Sequence, residues 1–248
     1  MFFGFDVFDN KKLFESDKEK MAGRIIAIGD IHGCLAALDT LLDAIQPDKS
    51  DSLIPLGDFV DRGNNTAGTL DRLIDLRERC FLFPILGNHD ELMLDVISGQ
   101  TWNLGKWLMY GGRQTMRSYG TDSVADIPKK HIEFLQSCVP YCETERHFFT
   151  HASYQENKPL AKTDSTVLRW ESLKIRTPGP HISRKMAVLG HTAQKSGEIL
   201  YQGNLLCIDT YCYGTGCLTA FEVQTGEYWQ ADKTGQLLNH SHFRVQWE

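Results

Sequence analysis

The sequence predicts an α/β protein built on a mostly parallel sheet. Two observations carry that prediction. Short apolar runs alternate three times with helical patterns over residues 24–97, and each run ends on a glycine-led motif rich in carboxylates, amide and imidazole. A β-α-β-α-β-α order implies right-handed crossovers and neighbouring parallel strands.

The elements follow in order. Residues 24–28 (RIIAI) form a β-branched run that reads as a buried strand ending at Gly29. Leu35, Leu38, Leu41, Leu42 and Ile45 then recur at helical spacing until Pro47. Residues 53–56 (LIPL) run into Gly57, and Leu70, Leu73, Ile74 and Leu76 mark a second helix. Residues 81–86 (FLFPIL) run into Gly87, and 91–97 are helical in pattern. Pro55 and Pro84 lie inside the second and third strand candidates; proline cannot donate to a ladder, so these belong at strand ends or bulges, or the strands are shorter. From about 99 to 143 the pattern is mainly helical, and the aromatic-rich stretch 102–119 reads as core. The runs 147–150, 187–189, 205–209 and 218–223 are short strands between Gly-, Asn- and Thr-rich turns.

The chain has 248 residues, 42% hydrophobic and 23% charged, enough for a full globular core. No run approaches the ~18 apolar residues of a spanning helix, so the expectation is no membrane. There are 26 Lys+Arg against 32 Asp+Glu, a formal charge of -6 without a dense basic stretch, which argues against a nucleic-acid partner. The seven cysteines lack framework spacing and suit reduced thiols in a cytoplasmic protein; Cys207, Cys212 and Cys217 read as core rather than as a zinc site. Residues 1–20 lack the basic leader and cleavage site of a secretory signal, and are expected to be a flexible N-terminal extension before a single domain, 21–248.

Three motifs carry chemistry: Gly29-Asp30-Ile31-His32-Gly33, Gly57-Asp58-Phe59-Val60-Asp61-Arg62-Gly63 and Gly87-Asn88-His89-Asp90. They fall at the carboxyl ends of the predicted strands, where open α/β sheets bind ligands. Asp30 and His32, two apart on extended backbone, point the same way and offer oxygen and nitrogen to one cation. Asp58 has two oxygens and can bridge two cations; Asn88 adds a neutral carbonyl; His151 and His191 follow later strands. Such mixed donors suit two divalent cations ~3.5–4 Å apart, which acidify water and screen phosphate charge. His89 is placed to protonate a leaving oxygen, Asp61 to fix its tautomer, and Arg62 to fork two phosphate oxygens. His131, His147, His181, His240 and His242 lie outside the motifs and read as non-ligands, while Asp90 and Glu91 read as carboxylates favouring a helix start.

GDIHG, GDFVDRG and GNHDE, with the later Thr150–Ala152 and Gly190–Thr192, resemble the signature blocks of the metal-dependent phosphoprotein phosphatases within the calcineurin-like metallophosphoesterases. The likeness is to bacterial and phage-type Ser/Thr protein phosphatases and the related symmetrical diadenosine tetraphosphate hydrolases. It extends through 106–120 and 208–223 and covers about 22–225. The resemblance implies a sandwich of two mixed β-sheets flanked by helices. It implies that Asp30, His32 and Asp58 hold one cation and Asp58, Asn88, His151 and His191 the other. It implies His89 as general acid oriented by Asp61, and Arg62 as a phosphate clamp. Manganese is the family's usual metal; iron and zinc suit the same donors.

The sequence departs from the family at His151-Ala152-Ser153, at Tyr110-Gly111-Gly112, and at Tyr211-Cys212, which sets a large phenol at the expected substrate mouth. The second phosphate-binding arginine is not fixed by motif: Arg169 is the candidate, ahead of Arg176 and Arg184. The substrate expected is a phosphorylated protein or small phosphoester. Hydrolysis of a dinucleoside polyphosphate is the alternative, and a non-catalytic scaffold the third.

Overall fold

The computed structural model describes residues 23–244, so the expected extension over 1–20 lies outside the described residues. The first strand, β1 (Ile25–Ile28), pairs in parallel with β2 (Ser52–Pro55), and β2 with β3 (Phe81–Leu82). Helices α1 (Leu35–Ile45) and α2 (Thr66–Leu76) make the crossovers, and α3 (Asn88–Ile97) follows β3. The prolines act as their chemistry requires: Pro55 is the last residue of β2, and β3 stops before Pro84.

Residues 99–143 are mainly helical, with α4 (Leu104–Trp107), a kink within Leu108–Gly112 where Gly111 leaves the helical conformation, α5 (Arg113–Tyr119) and α6 (Lys129–Gln136). Strand β4 (Tyr141–Glu143) ends this stretch and opens a second sheet with β5 (His147–Thr150), β6 (Met186–Leu189), β7 (Leu200–Tyr201) and β8 (Leu205–Cys207), in the order β4-β5-β6-β8-β7. A short helix, α7 (Ser165–Trp170), lies between β5 and β6. The chain then returns to the first sheet through β9 (Cys217–Glu222), β10 (Glu227–Asp232) and β11 (Leu237–His242), giving the order β11-β10-β9-β1-β2-β3. Both sheets are mixed: β9 runs antiparallel to β1, while β5, β6 and β8 run parallel to one another.

Period-two alternation stacks these layers. Ile26 and Ile28 face α1 and α2, packing with Leu38, Leu41, Leu70 and Leu73. Ile25 and Ala27 point the other way, against Phe149, Val188 and Leu206 of the second sheet. On that sheet, Phe148, Ala187 and Leu205 turn outward beneath Tyr154, Leu160 and Leu168. Each large apolar side chain buried this way contributes about 1.5–3 kcal/mol before chain entropy is counted. The two-sheet sandwich with flanking helices is therefore present. Because both sheets contain parallel strands, six strand carboxyl ends meet along one edge.

Candidate metal centre

Each end at that edge delivers a polar side chain. Asp30 and His32 follow β1, Asp58, Asp61 and Arg62 follow β2, and Asn88 and His89 begin α3. From the second sheet come His151 after β5, His191 after β6 and Asp209 after β8. Asp30, His32, Asp58, Asp61, Asn88, His89, His151 and Asp209 are all buried.

The loops hold these residues in backbone conformations that side chains seldom adopt. His32, Asp58, Asp61, Arg62 and His191 all have positive φ, from 47° to 70°. This corrects the expectation of an extended Asp30–His32 pair. At φ 47° His32 lies on a turn into α1, pinned because its N–H donates to the Asp58 carbonyl at 2.7 Å while Gly33 N–H donates to Phe59 at 3.0 Å. Two motif loops also touch backbone to backbone: a Cβ on Gly87 would fall on Asp58, so only glycine fits there.

Hydrogen bonds set the imidazole tautomers, since a backbone carbonyl can only accept. His32 Nδ1–H donates to Val60 (2.9 Å), His151 Nδ1–H to Leu56 (2.7 Å) and His191 Nε2–H to Trp170 (3.1 Å). The opposite nitrogens therefore carry lone pairs. His32 Nε2 faces Asp58 Oδ2 at 3.4 Å, His151 Nε2 faces Asn88 Oδ1 at 2.9 Å and Asp58 Oδ1 at 3.4 Å, and His191 Nδ1 faces Asn88 Oδ1 at 2.8 Å. Burial drives all three imidazoles toward the neutral form, His191 down to about 4. Lone pairs thus converge with no proton between them, an arrangement suited to cations.

Two groups have donor atoms all within 4.8 Å of one another: His32, Asp58 and His89, and Asp58, His151 and His191. Asp58 belongs to both. Asp30 is at the same edge but in neither group: both its oxygens accept the His191 N–H, at 3.1 and 3.0 Å, and it meets Asp209. Burial, together with repulsion from Asp209 and Asp58, pushes Asp30 well above the usual carboxylate range; burial likewise lifts Asp209 to about 6. Packed carboxylates of this kind are a second sign that the site fits cations.

Beside the donors lies a proton-handling pair. His89 Nδ1–H donates to Asp61 Oδ2 at 2.8 Å. The other Asp61 oxygen accepts from Trp107 Nε1 at 3.0 Å and Thr115 Oγ1 at 2.8 Å, so the carboxylate cannot turn away. Burial opposes charge on His89, yet Asp58 and Asp61 hold its pKa above the ordinary value. Arg62 Nη2 donates to His89 Nε2 at 2.9 Å, and its guanidinium lies 4.3 Å from the Tyr213 ring centroid.

Arg169 is close enough to His151 to depress its pKa. Its Nη2 pairs with Glu91 Oε1 at 2.5 Å, and its Nε–H meets no acceptor among the described residues. Arg176 is committed elsewhere, to Glu156 and Glu171. Asp90 ties loops together by accepting from Gly87, Phe59 and Val60 N–H. Tyr211 sits at φ 66° with its ring 4.7 Å from that of Tyr213. Among the residues whose part in the site escaped the sequence reading, beside Trp107 and Thr115, are Asp209 and Glu91. Asp209 follows a strand as the other donors do but lacks a leading glycine. Glu91 holds Arg169 and also accepts from Trp170 Nε1 at 2.7 Å, well beyond favouring a helix start.

Comparison with known proteins agrees with this geometry. The family model described as calcineurin-like phosphoesterase matches residues 23–211. Serine/threonine-protein phosphatase 1 of Salmonella typhimurium is 30% identical over 149 residues, covering 58% of this chain and 65% of the relative. The symmetrical bis(5'-nucleosyl)-tetraphosphatase of Ralstonia nicotianae is 44% identical over 73 residues, 29% of this chain and 25% of the relative. The match thus spans less than two thirds of each relative. Among solved structures, a cold-active protein tyrosine phosphatase superposes with TM-score 0.63 at 16% identity, covering 87% of this chain and 78% of the other. A protein serine/threonine phosphatase from Saccharomyces cerevisiae gives 0.58 at 16% identity, covering 83% and 75%. With its motif loops converging at the joint edge of two sheets and the family model spanning most of its length, the chain belongs to the calcineurin-like phosphoesterase family.

Proposed function

We propose that the protein is a metal-dependent phosphoester hydrolase acting on phosphoserine and phosphothreonine in proteins. The observation that carries the hydrolase reading is the convergence on Asp58 of the lone-pair nitrogens of His32, His151 and His191, from two sheets. His32, Asp58 and Asp30 would hold one cation, and Asp58, Asn88, His151 and His191 the other; manganese is the metal we propose. When bound, such cations screen phosphoryl charge and make water more acidic.

The chain's own residues do the rest. Arg62 and Arg169 bind phosphoryl oxygens from two sides, with Asn88 beside them. An arriving phosphate draws the Arg62 guanidinium off His89, leaving Nε2 free to take up a proton from water. His89 passes that proton to the leaving oxygen, while Asp61 holds Nδ1–H and steadies the imidazolium. Trp107 and Thr115 keep Asp61 in line.

The longer similarity to a serine/threonine-protein phosphatase supports a phosphoprotein substrate. The 44% identity over 73 residues to a symmetrical tetraphosphatase favours a second reading, cleavage of a dinucleoside polyphosphate. Relative kcat/KM for a phosphoserine peptide and diadenosine tetraphosphate separates the two. All seven cysteines are free, which supports a reducing, cytoplasmic setting. No helix among the described residues is long and apolar enough to cross a membrane.

His89→Ala tests the chemistry. As general acid, its loss lowers kcat by about 10²–10⁴-fold with metal content unchanged. Loss of one metal equivalent instead would make His89 a ligand, as its place beside His32 and Asp58 permits.

A further inference from the structure

The fold divides the aromatic stretch that the sequence placed in the core. Trp107 is fully buried and its indole braces Asp61. Outside, Trp102 is 76% exposed, Met109 75% and Tyr110 42%. With Lys106 these fall at i, i+4, i+7 and i+8, the spacing of one helical face. Of the eight exposed large hydrophobics among the described residues, four lie between 102 and 110, so exposed apolar surface is concentrated in this segment.

This face runs into the catalytic mouth. The Tyr110 ring centroid is 6.3 Å from that of His89, and the Tyr110 carbonyl accepts from Arg62 Nε at 3.4 Å. Lys106 Nζ lies 4.5 Å from the Trp170 ring centroid and 5.9 Å from that of Tyr110.

Building on the protein-phosphatase reading, we infer that the Trp102–Tyr110 face docks the polypeptide flanking the phosphorylated residue, taking an apolar side chain three or four positions away from it. The reach fits: eight residues at ~1.5 Å rise span ~12 Å, which an extended peptide covers in about three to four residues at ~3.3 Å each. The chemistry fits as well. Methionine adapts to side chains of varied shape, and tryptophan offers a broad flat surface. A nucleobase would stack on the same indole, so diadenosine tetraphosphate is one arm of the test. A peptide needs only its apolar side chain there, its phosphate being held at Arg62.

The test uses the metal-loaded full chain and the double variant Trp102→Ala/Met109→Ala. Substrates are two phosphoserine peptides carrying Leu or Ser at the third and fourth positions from the phosphoserine, p-nitrophenyl phosphate and diadenosine tetraphosphate. The wild type should favour the Leu peptide about tenfold in kcat/KM. The variant should lose that preference yet hydrolyse p-nitrophenyl phosphate at the wild-type rate. Equal rates on both peptides in the wild type would overturn the docking assignment and leave the protein-phosphatase reading intact. Turnover of p-nitrophenyl phosphate with neither peptide cleaved would remove the protein-phosphatase reading itself. A variant impaired on diadenosine tetraphosphate would give the face to a nucleobase and overturn the peptide.

Discussion

Glu91 shows how one side chain can govern a site it does not enter. Its two oxygens hold Arg169 Nη2 and Trp170 Nε1, and the Trp170 carbonyl in turn orients His191. Glu91→Gln keeps an acceptor for the indole but removes the charge that aims Arg169. The expected outcome is a rise of about tenfold in both KM and the inhibition constant for inorganic phosphate, with kcat within about twofold of wild type. A fall in kcat at constant KM would move Glu91 out of phosphate positioning. At this scale the motifs announced which side chains reach the shared edge, Asp30, Asp58, Asn88 and His89 among them. It hid Glu91, because a carboxylate in the first turn of a helix has an adequate local explanation and its partner is 78 positions away. It also misjudged the Asp30–His32 geometry, because positive φ at His32 is imposed by Asp58 and Phe59 carbonyls from another strand.

Among elements, the strands and helices of the first half were legible because each buries one regular face: α1 presents Leu38, Leu41, Leu42 and Ile45 to the core at helical spacing. Strands β10 and β11 were not. β11 is an edge strand, exposed along its length, and its LLNHSH carries neither β-branched residues nor alternation. Helix α7, only six residues long, is too short for periodicity to register. The segment 101–112 was legible as helical but not as a wall of the site. Its position depends on Gly111, at φ 125°, where the carbonyl accepts from Arg62 N–H at 3.3 Å. A Cβ there would come within 2.6 Å of Arg62 N and 2.8 Å of its Cγ. Gly111→Ala should therefore cost about 1–3 kcal/mol in unfolding free energy, measured by denaturant titration, and raise KM as Arg62 loses its backing. Wild-type stability together with wild-type KM would show that the segment relaxes without consequence.

For the molecule as a whole, the proposed metal site lies where the two sheets meet, and bound cations would join them by chemistry as well as by packing. Asp58 and Asn88 come from the first sheet, and His151 and His191 from the second, so cations held among them would tie one sheet to the other. The same edge also gathers Asp30, Asp58 and Asp209, buried carboxylates whose repulsion the fold must bear. Divalent cations at about 100 times their dissociation constant would stabilise the native state by about 2.7 kcal/mol. For a chain of this size that corresponds to a Tm roughly 5–11 °C higher than after chelation. Asp209→Asn separates the two contributions. It removes a repelling charge while leaving the four lone-pair donors in place, so the chelated variant should melt above the chelated wild type and the gap between loaded and stripped protein should narrow. Differential scanning calorimetry with and without chelator measures both. If chelation left Tm unchanged in wild type and variant alike, the two sheets would be held by their apolar interface alone, and the convergence of donors at their shared edge would contribute nothing to the stability of the fold.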